Sequence, residues 1–364
     1  MPALDFRDAF AGRRVLVTGH TGFKGAWLSA WLARLGAEVH GVALAPATRP
    51  DLFTALDLPS RLSSTLLDIR DPGALDGAVA RIAPDIVFHL AAQALVRRSY
   101  ADPVGTFETN VLGTARLFEA CRAVPSVRAV VCVTTDKVYE NREWPWPYRE
   151  ADRLGGLDPY SASKACAELV AAVYRRTLGR PGGPLAIATA RGGNVVGGGD
   201  WSEDRLVPDV VRALLSGRPI LLRNPDAVRP WQHVLELCEG YLELGARLLR
   251  DGEAVAEAWN FGPRAADERT VIEVVRALLA AWGRPEAAVE LRPSPLHEAR
   301  ILRLDIAKAL SRLDWRPRLG LGETLEWTAG WYRAVHDDPA SAWERTADQI
   351  RRFEERRAAG SAPA

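Results

Sequence analysis

Residues 14–25 run Arg14-Val15-Leu16-Val17-Thr18-Gly19-His20-Thr21-Gly22-Phe23-Lys24-Gly25, and their order decides the fold. The first five have the length and apolar content of a short buried strand. Glycines at i, i+3 and i+6 follow at once, and Ala26-Trp27-Leu28-Ser29-Ala30-Trp31-Leu32 opens an amphipathic helix. Glu38-Val39-His40-Gly41-Val42 supplies a second strand. Strand, glycine turn, helix and strand make a βαβ unit. At its turn Gly19 permits the tight bend, Gly22 lets backbone approach a pyrophosphate, and Gly25 lets helix and strand pack closely. The helix N-terminus adds free N–H groups and a partial positive charge. A dinucleotide is the expected ligand, with Gly19, Thr21, Gly22, Phe23, Lys24 and Gly25 as its contacts. No Asp or Glu ends the second strand to hold the adenosine ribose. Val42-Ala43-Leu44-Ala45 stands there with Arg49 beyond, so this loop leaves NAD and NADP both open.

Further strands extend the unit. Asp68-Ile69 closes a third and is placed against the adenine. Ile86-Val87-Phe88-His89 and its exit Leu90-Ala91-Ala92-Gln93 form a fourth, whose small residues leave room for a cofactor. Helix and strand patterns alternate through the first half, which predicts an α/β fold with a parallel sheet. We expect a Rossmann-type, doubly wound domain over 1–190 and a smaller, mostly helical substrate-binding lobe over 191–340. The stretch 341–364 reads as a partly frayed tail. Gly192 to Trp201 is too glycine-rich for a regular element and reads as a flexible loop. The net charge of the 364 residues is +1, which gives no bulk attraction to nucleic acid or an anionic membrane. Four cysteines lack C-x-x-C spacing and read as reduced, cytoplasmic thiols. Six scattered histidines predict no metal site, and no apolar run reaches the length of a membrane span. Met1 to Phe6 does not read as a signal peptide.

Two clusters carry chemistry. Thr135-Asp136-Lys137 follows Val130-Val131-Cys132-Val133, so it lies at a strand's carboxyl end. Tyr160 and Lys164 in Tyr160-Ser161-Ala162-Ser163-Lys164 share one helix face. A phenol is a poor base at neutral pH, and an ammonium one turn away is expected to favour the phenolate. The pair can then take a proton from an alcohol whose hydride leaves at the same time. Asp136 adds a second acid/base group beside the reacting carbons. In the second half, Arg205, Arg229 and Arg300 suit a diphosphate through bidentate contacts. Gln93, Asn194, Trp231 and His233 complete the expected substrate set, and Thr109 joins the cofactor set with Tyr160 and Lys164.

Four motifs resemble the extended short-chain dehydrogenase/reductase family in its nucleotide-sugar-modifying branch. They are Thr18-Gly19-x-x-Gly22-x-x-Gly25, His89-Leu90-Ala91-Ala92-Gln93, Thr109-Asn110-Val111-x-Gly113-Thr114 and Tyr160-x-x-x-Lys164. The likeness runs from Arg14 to about Trp331. A Thr-Asp pair after the fifth strand is similar to the 4,6-dehydratases, most of which continue with Glu. Lys137 replaces it here, and together with the glycine loop and Tyr139-Glu140-Asn141-x-Glu143-Trp144 it resembles the members that act on CDP-glucose. The resemblance implies bound NAD, a 4-keto-6-deoxy sugar product for surface polysaccharide, and a homo-oligomer, dimer or tetramer, paired through the Tyr160 helix. It implies C4 oxidation by Tyr160 and Lys164, and protonation of the departing C6 hydroxyl by Asp136. Whether Lys137 takes the C5 proton or stabilises the enolate stays open. So do a dehydratase of dTDP-, GDP- or UDP-hexoses, a nucleotide-sugar 4-epimerase, and a non-catalytic binder that has kept the fold.

Overall fold

The computed structural model describes residues 5–178, 185–292 and 301–360. Its centre is a seven-stranded sheet with every pair parallel. The strands are β1 (Arg14–Thr18), β2 (Glu38–Ala43), β3 (Ser63–Leu66), β4 (Ile86–His89), β5 (Ala129–Val133), β6 (Ala186–Gly192) and β7 (Ala258–Phe261). They lie in the order β7-β6-β5-β4-β1-β2-β3. The order reverses between β1 and β4, and in such sheets ligands bind beyond the strand carboxyl ends at that point. The helices of eleven residues or more are α1 (Phe23–Arg34), α2 (Pro72–Ile82), α3 (Gly113–Ala123), α4 (Pro159–Thr177), α5 (Leu206–Ser216), α6 (Val234–Asp251), α7 (Val271–Trp282), α8 (Leu321–Asp337) and α9 (Ala342–Ala359).

Strand side chains alternate between two cores. Val15, Val17, Ile86, Phe88, Ala129 and Val131 point to one, with α1, α6, α8 and α9. Leu16, Val87, Val130, Cys132 and Ile187 point to the other, with α2, α3 and α4. Burial on both faces is why these strands read as continuous apolar runs.

Three sequence expectations change. The boundary at residue 190 is crossed, because β7 adds to the sheet beside β6 and α6 packs on β5, β6 and α1. Residues 234–249 of α6 are all buried, so this helix belongs to the sheet's cover, not to a separate lobe. The glycine-rich stretch after β6 is packed rather than loose. Val195–Val196 pairs with Gln232–His233, and a Cβ on Gly198 would stand 2.1 Å from Trp331. Its glycines answer to close approach. The stretch read as a tail contains α9, a regular helix that buries Ala342, Thr346, Ile350 and Phe353 at helical spacing.

Aromatic and polar ties hold α9 in place. Trp31 Nε1 donates to Glu354 Oε1 at 2.7 Å, Trp331 Nε1 to Thr346 Oγ1 at 2.9 Å, and Gln349 Nε2 to the Trp327 carbonyl at 2.9 Å. The Arg357 guanidinium lies 3.8 Å from the Phe6 ring centroid and pairs with Glu239 and Glu243 on α6. The Phe353 ring sits edge-on to Trp31 at 5.8 Å and is fully buried. Phe353→Ala should therefore cost about 3–5 kcal/mol of unfolding free energy, read from urea denaturation. A change within about 0.5 kcal/mol, as at an ordinary surface position, would mean that α9 is not part of the folded core.

Candidate active site

The glycine loop is built by contact. Gly19 has φ +79°, and a Cβ there would stand 2.7 Å from the Ala91 amide. A Cβ on Gly25 would stand 2.1 Å from the Gly19 carbonyl oxygen. Gly22 caps α1 without a side-chain hydrogen bond, which leaves the first-turn N–H groups open to an anion. Thr21 Oγ1 fixes the loop to the Leu44 carbonyl at 2.9 Å. His20, fully buried, bonds Ser64 Oγ at 2.8 Å, and its ring fills the place where a Cβ on Gly41 would lie.

The exit of β4 is locked to its neighbours. His89 bonds Thr18 Oγ1 through Nδ1 at 2.7 Å and Thr114 Oγ1 through Nε2 at 3.0 Å. Burial lowers its pKa to about 3, so the ring is neutral. Asn110 accepts from the Gln93 amide at 2.9 Å and donates to the Gln93 carbonyl and to Ser163 Oγ on α4. Asn110 and His89 stood in quoted motifs without a role, and their positioning function needed the fold to be seen. Thr109 Oγ1 donates to the Gly105 carbonyl at 2.8 Å. Asp68 follows the end of β3 and is held in a fork by Arg70, while Ile69 is buried in the core beside Gly113. Asp68, Arg70, Glu108, Leu112 and Arg116 edge a groove of about 370 Å³ at this end of the sheet.

Beyond β4, β5 and β6 opens a cavity of about 430 Å³, in the range of small-molecule sites. Lys24, Thr135, Asp136, Lys137 and Tyr160 line it, and so do Asn194, Arg205, Arg229 and Trp231 from the second half. Arg97 and Arg223 line it too, joined through Asp204 at 3.6 and 2.6 Å. The sequence singled out neither, because nothing marks them among so many arginines.

Pro159 opens α4, and the Asp158 side chain caps it by accepting from the Ser161 amide at 2.9 Å. The Tyr160 amide donates to Ser99 Oγ at 3.1 Å, which fixes the first turn. Lys164 Nζ donates to the Val133 carbonyl at the end of β5, at 3.0 Å, and burial lowers its pKa. Burial pushes the Tyr160 phenol up to about 12, against the Thr135 hydroxyl and the Arg205 charge, which pull it down. The protein alone therefore does not deliver the phenolate that the Tyr/Lys spacing predicts. Desolvation outweighs the neighbouring cations.

Asp136 stands on the short 3-10 turn after β5, 2 % exposed. Thr135 Oγ1 donates to its Oδ1 at 2.9 Å, and its Oδ2 is buried without a hydrogen-bond partner among the described residues. Burial raises its pKa, with the Lys137 charge and the Thr135 hydroxyl opposing. The shift is toward the neutral form. Burial also lowers the pKa of Lys24 to about 8, with Arg205 and Lys164 adding to the effect.

Two expected substrate contacts are placed elsewhere. His233 is fully buried, caps α6 by accepting from the Leu235 amide at 3.3 Å, and lies edge-on to Trp27 and Trp327. The Gln93 amide group is engaged by Leu95 and Thr106, outside the cavity lining. Arg300 lies outside the described residues. Among those residues no group of three or more His, Cys, Asp or Glu is arranged to hold a metal ion.

Comparison with known proteins shows the family. The chain is 46% identical over 332 residues to a CDP-glucose 4,6-dehydratase of Salmonella typhimurium, covering 90% of this chain and 92% of that protein. It superposes on a dTDP-glucose 4,6-dehydratase of Streptomyces venezuelae, solved with NAD bound, with a TM-score of 0.76 and 30% identity over 90% of this chain and 99% of that one. A UDP-glucose 4-epimerase of Thermus thermophilus in complex with NAD gives 0.76 at 29% identity, over 88% and 99%. The family model for GDP-mannose 4,6 dehydratase matches residues 16–328, and the chain belongs to that family.

Proposed function

We propose that this chain is an NAD-dependent hydro-lyase that converts CDP-glucose to CDP-4-keto-6-deoxyglucose and water. The observation that carries the reading is the placement of Asp136: a buried carboxyl, shifted by burial toward its neutral form, in the same cavity as Tyr160. A general acid is what loss of a hydroxyl needs and what a 4-epimerase does not. The identity to the Salmonella protein supports CDP-glucose as the substrate.

The cofactor fit rests on the cradle at Gly19 and Gly25, which side chains would fill, and on the open N–H groups of α1. When bound, NAD supplies the hydride acceptor for C4, a positive charge that favours the Tyr160 phenolate, and the hydride that returns to C6. Tyr160 takes the C4 hydroxyl proton. Lys164, pinned to Val133, keeps a cation beside the base. Oxidation at C4 acidifies the C5 hydrogen. Lys137 shares the turn of Asp136, and Lys24, with its depressed pKa, lines the same cavity. These two lysines serve removal of the C5 proton, its return to C5 when the hydride reaches C6, and the enolate charge in between. Asp136 protonates the departing C6 hydroxyl. Arg205 and Arg229, with Arg97 and Arg223, supply guanidinium groups for the diphosphate, beside Asn194 and Trp231.

Incubation of the purified protein with CDP-, dTDP-, GDP- and UDP-hexoses should show mass loss of one water, fastest for CDP-glucose. Isomerisation without loss of water would make the chain an epimerase. Chromatography of the nucleotide released on denaturation should show NAD, whereas NADP alone would overturn the cofactor assignment.

The division of labour is open to direct test. Asp136→Asn should still reduce bound NAD when substrate is added, seen as NADH absorbance, yet dehydrate about 10²–10⁴-fold more slowly. Tyr160→Phe should abolish the absorbance change itself. If Asp136→Asn blocks NAD reduction as fully as Tyr160→Phe, Asp136 is not a dedicated elimination acid.

We further assign the chain to the cytoplasm, on its four free cysteines, and to a homo-oligomer. Val104 and Leu112, in the segment leading into α3, and Leu169 and Val173 on α4 are apolar and 50–68% exposed, on helical stretches that pack on each other. A second copy covering this face would bury them. Light scattering should give at least a dimer, and Leu169→Glu with Val173→Glu should shift it to the monomer.

A further inference from the structure

Behind the catalytic turn lies a buried ion pair that the reaction scheme does not use. Glu168 stands one helical turn beyond Lys164, so Tyr160, Lys164 and Glu168 share a face of α4. Its carboxylate accepts from Thr134 Oγ1 at 2.5 Å, Thr189 Oγ1 at 2.8 Å and Arg191 Nη2 at 2.8 Å. The Arg191 and Glu168 side chains are 4% and 1% exposed. Burial works against the charge on Glu168, but Arg191 and the two hydroxyls outweigh it and hold the pKa below the ordinary carboxyl value.

The second arm of the pair reaches the far side of the turn. Arg191 Nη1 donates to Tyr139 Oη at 2.8 Å and to the Glu150 carbonyl at 3.0 Å. The Tyr139 hydroxyl donates in turn to Asn260 Oδ1 on β7 at 2.7 Å. Thr134 and Tyr139 are the residues on either side of Thr135-Asp136-Lys137-Val138. One buried ion pair thus grips both ends of the segment that carries Asp136 and Lys137. The first turn of α4, which carries Tyr160, has its own fixings in the Asp158 cap and Ser99, and the phenol meets the braced segment only through the Thr135 hydroxyl.

We propose that Glu168 and Arg191 are positioning residues for elimination: through Thr134 and Tyr139 they fix where Asp136 and Lys137 stand, so they govern loss of the C6 hydroxyl more than oxidation at C4. The proposal rests on the dehydratase reading above. It predicts a split between half-reactions that a general loss of stability would not produce.

Two variants cut each grip separately and leave the ion pair in place, and a third removes the ion pair itself. Tyr139→Phe removes the hydroxyl on the Lys137 side, and Thr134→Val removes the one on the Asp136 side. Glu168→Gln weakens both. Each full-length variant is mixed with CDP-glucose, with NADH absorbance followed for oxidation and mass spectrometry for the dehydrated product. Oxidation should stay near the rate of the unaltered protein, while dehydration falls about 10²-fold, the order expected of an ångström-scale misplacement. Reduced cofactor should then accumulate, with the melting temperature of Tyr139→Phe close to that of the unaltered protein. Equal slowing of both half-reactions, or unslowed dehydration in Tyr139→Phe and Thr134→Val, overturns the brace. If the unaltered protein releases no water from CDP-glucose, the dehydratase reading itself falls, and the brace with it.

Discussion

The hydrogen bond from Lys164 to the Val133 carbonyl ties the catalytic helix α4 to the end of β5. An ammonium buried in the interior is costly unless it finds acceptors, and a charge-assisted bond to backbone contributes about 1.5–3 kcal/mol. Here that bond also sets geometry. It brings the face of α4 carrying Tyr160 against the turn carrying Asp136, so base and acid meet over one cavity. The strand order places that cavity beside the glycine loop, because β1, β4 and β5 are neighbours with their carboxyl ends on one side. Everything proposed for the site depends on this juxtaposition.

Burial then sorts the ionisable groups. Asp136 and Tyr160 are pushed up, Lys24 and Lys164 down, each toward its neutral form. Glu168, as deeply buried as Asp136, moves the other way. The difference is in the donors. Glu168 accepts from two hydroxyls and a guanidinium, whereas Asp136 has a single side-chain donor and one oxygen without a partner. Two carboxyls near one strand end are thereby shifted in opposite directions, which suits the different tasks proposed for them, a charged brace and a proton donor. The rule that neighbouring titratable groups divide acid and base roles according to their surroundings applies directly.

The parts legible in the sequence were those with a period or a spacing. The glycine loop, the alternating β/α pattern and the Tyr160–Lys164 pair all follow from local order. What stayed hidden depended on who occupies a side chain's hydrogen bonds. Gln93 and His233 carry the right chemistry for a ligand, but backbone groups nearby had already claimed them. Glycine between 192 and 199 signals flexibility in a sequence and close packing in a fold. The choice becomes visible only once Trp331, Val234 and Leu52 are seen against Gly198, Gly197 and Gly199. In α9 the dense charge masked a narrow apolar stripe.

Fold does not separate the two chemistries open to this scaffold. The dehydratase from Streptomyces venezuelae and the epimerase from Thermus thermophilus superpose on this chain equally well, each with a TM-score of 0.76. The difference must lie in side chains at a site that the scaffold holds in common. Both reactions begin with oxidation at C4, the step proposed above for the Tyr160 pair. Only elimination needs a proton delivered at C6 and charge stabilised at C5. In the reading proposed above, the turn Asp136–Val138 meets that need, with a carboxyl that burial shifts toward its neutral form and a lysine beside it. A carboxyl shifted toward its neutral form suits the electrostatics. The enolate and the diphosphate are both anionic, and Lys24, Lys137, Arg205 and Arg229 line the cavity that would hold them. A second ionised carboxylate in place of Lys137 would oppose that field, so the lysine is consistent with a site that handles C5 by stabilising developing negative charge.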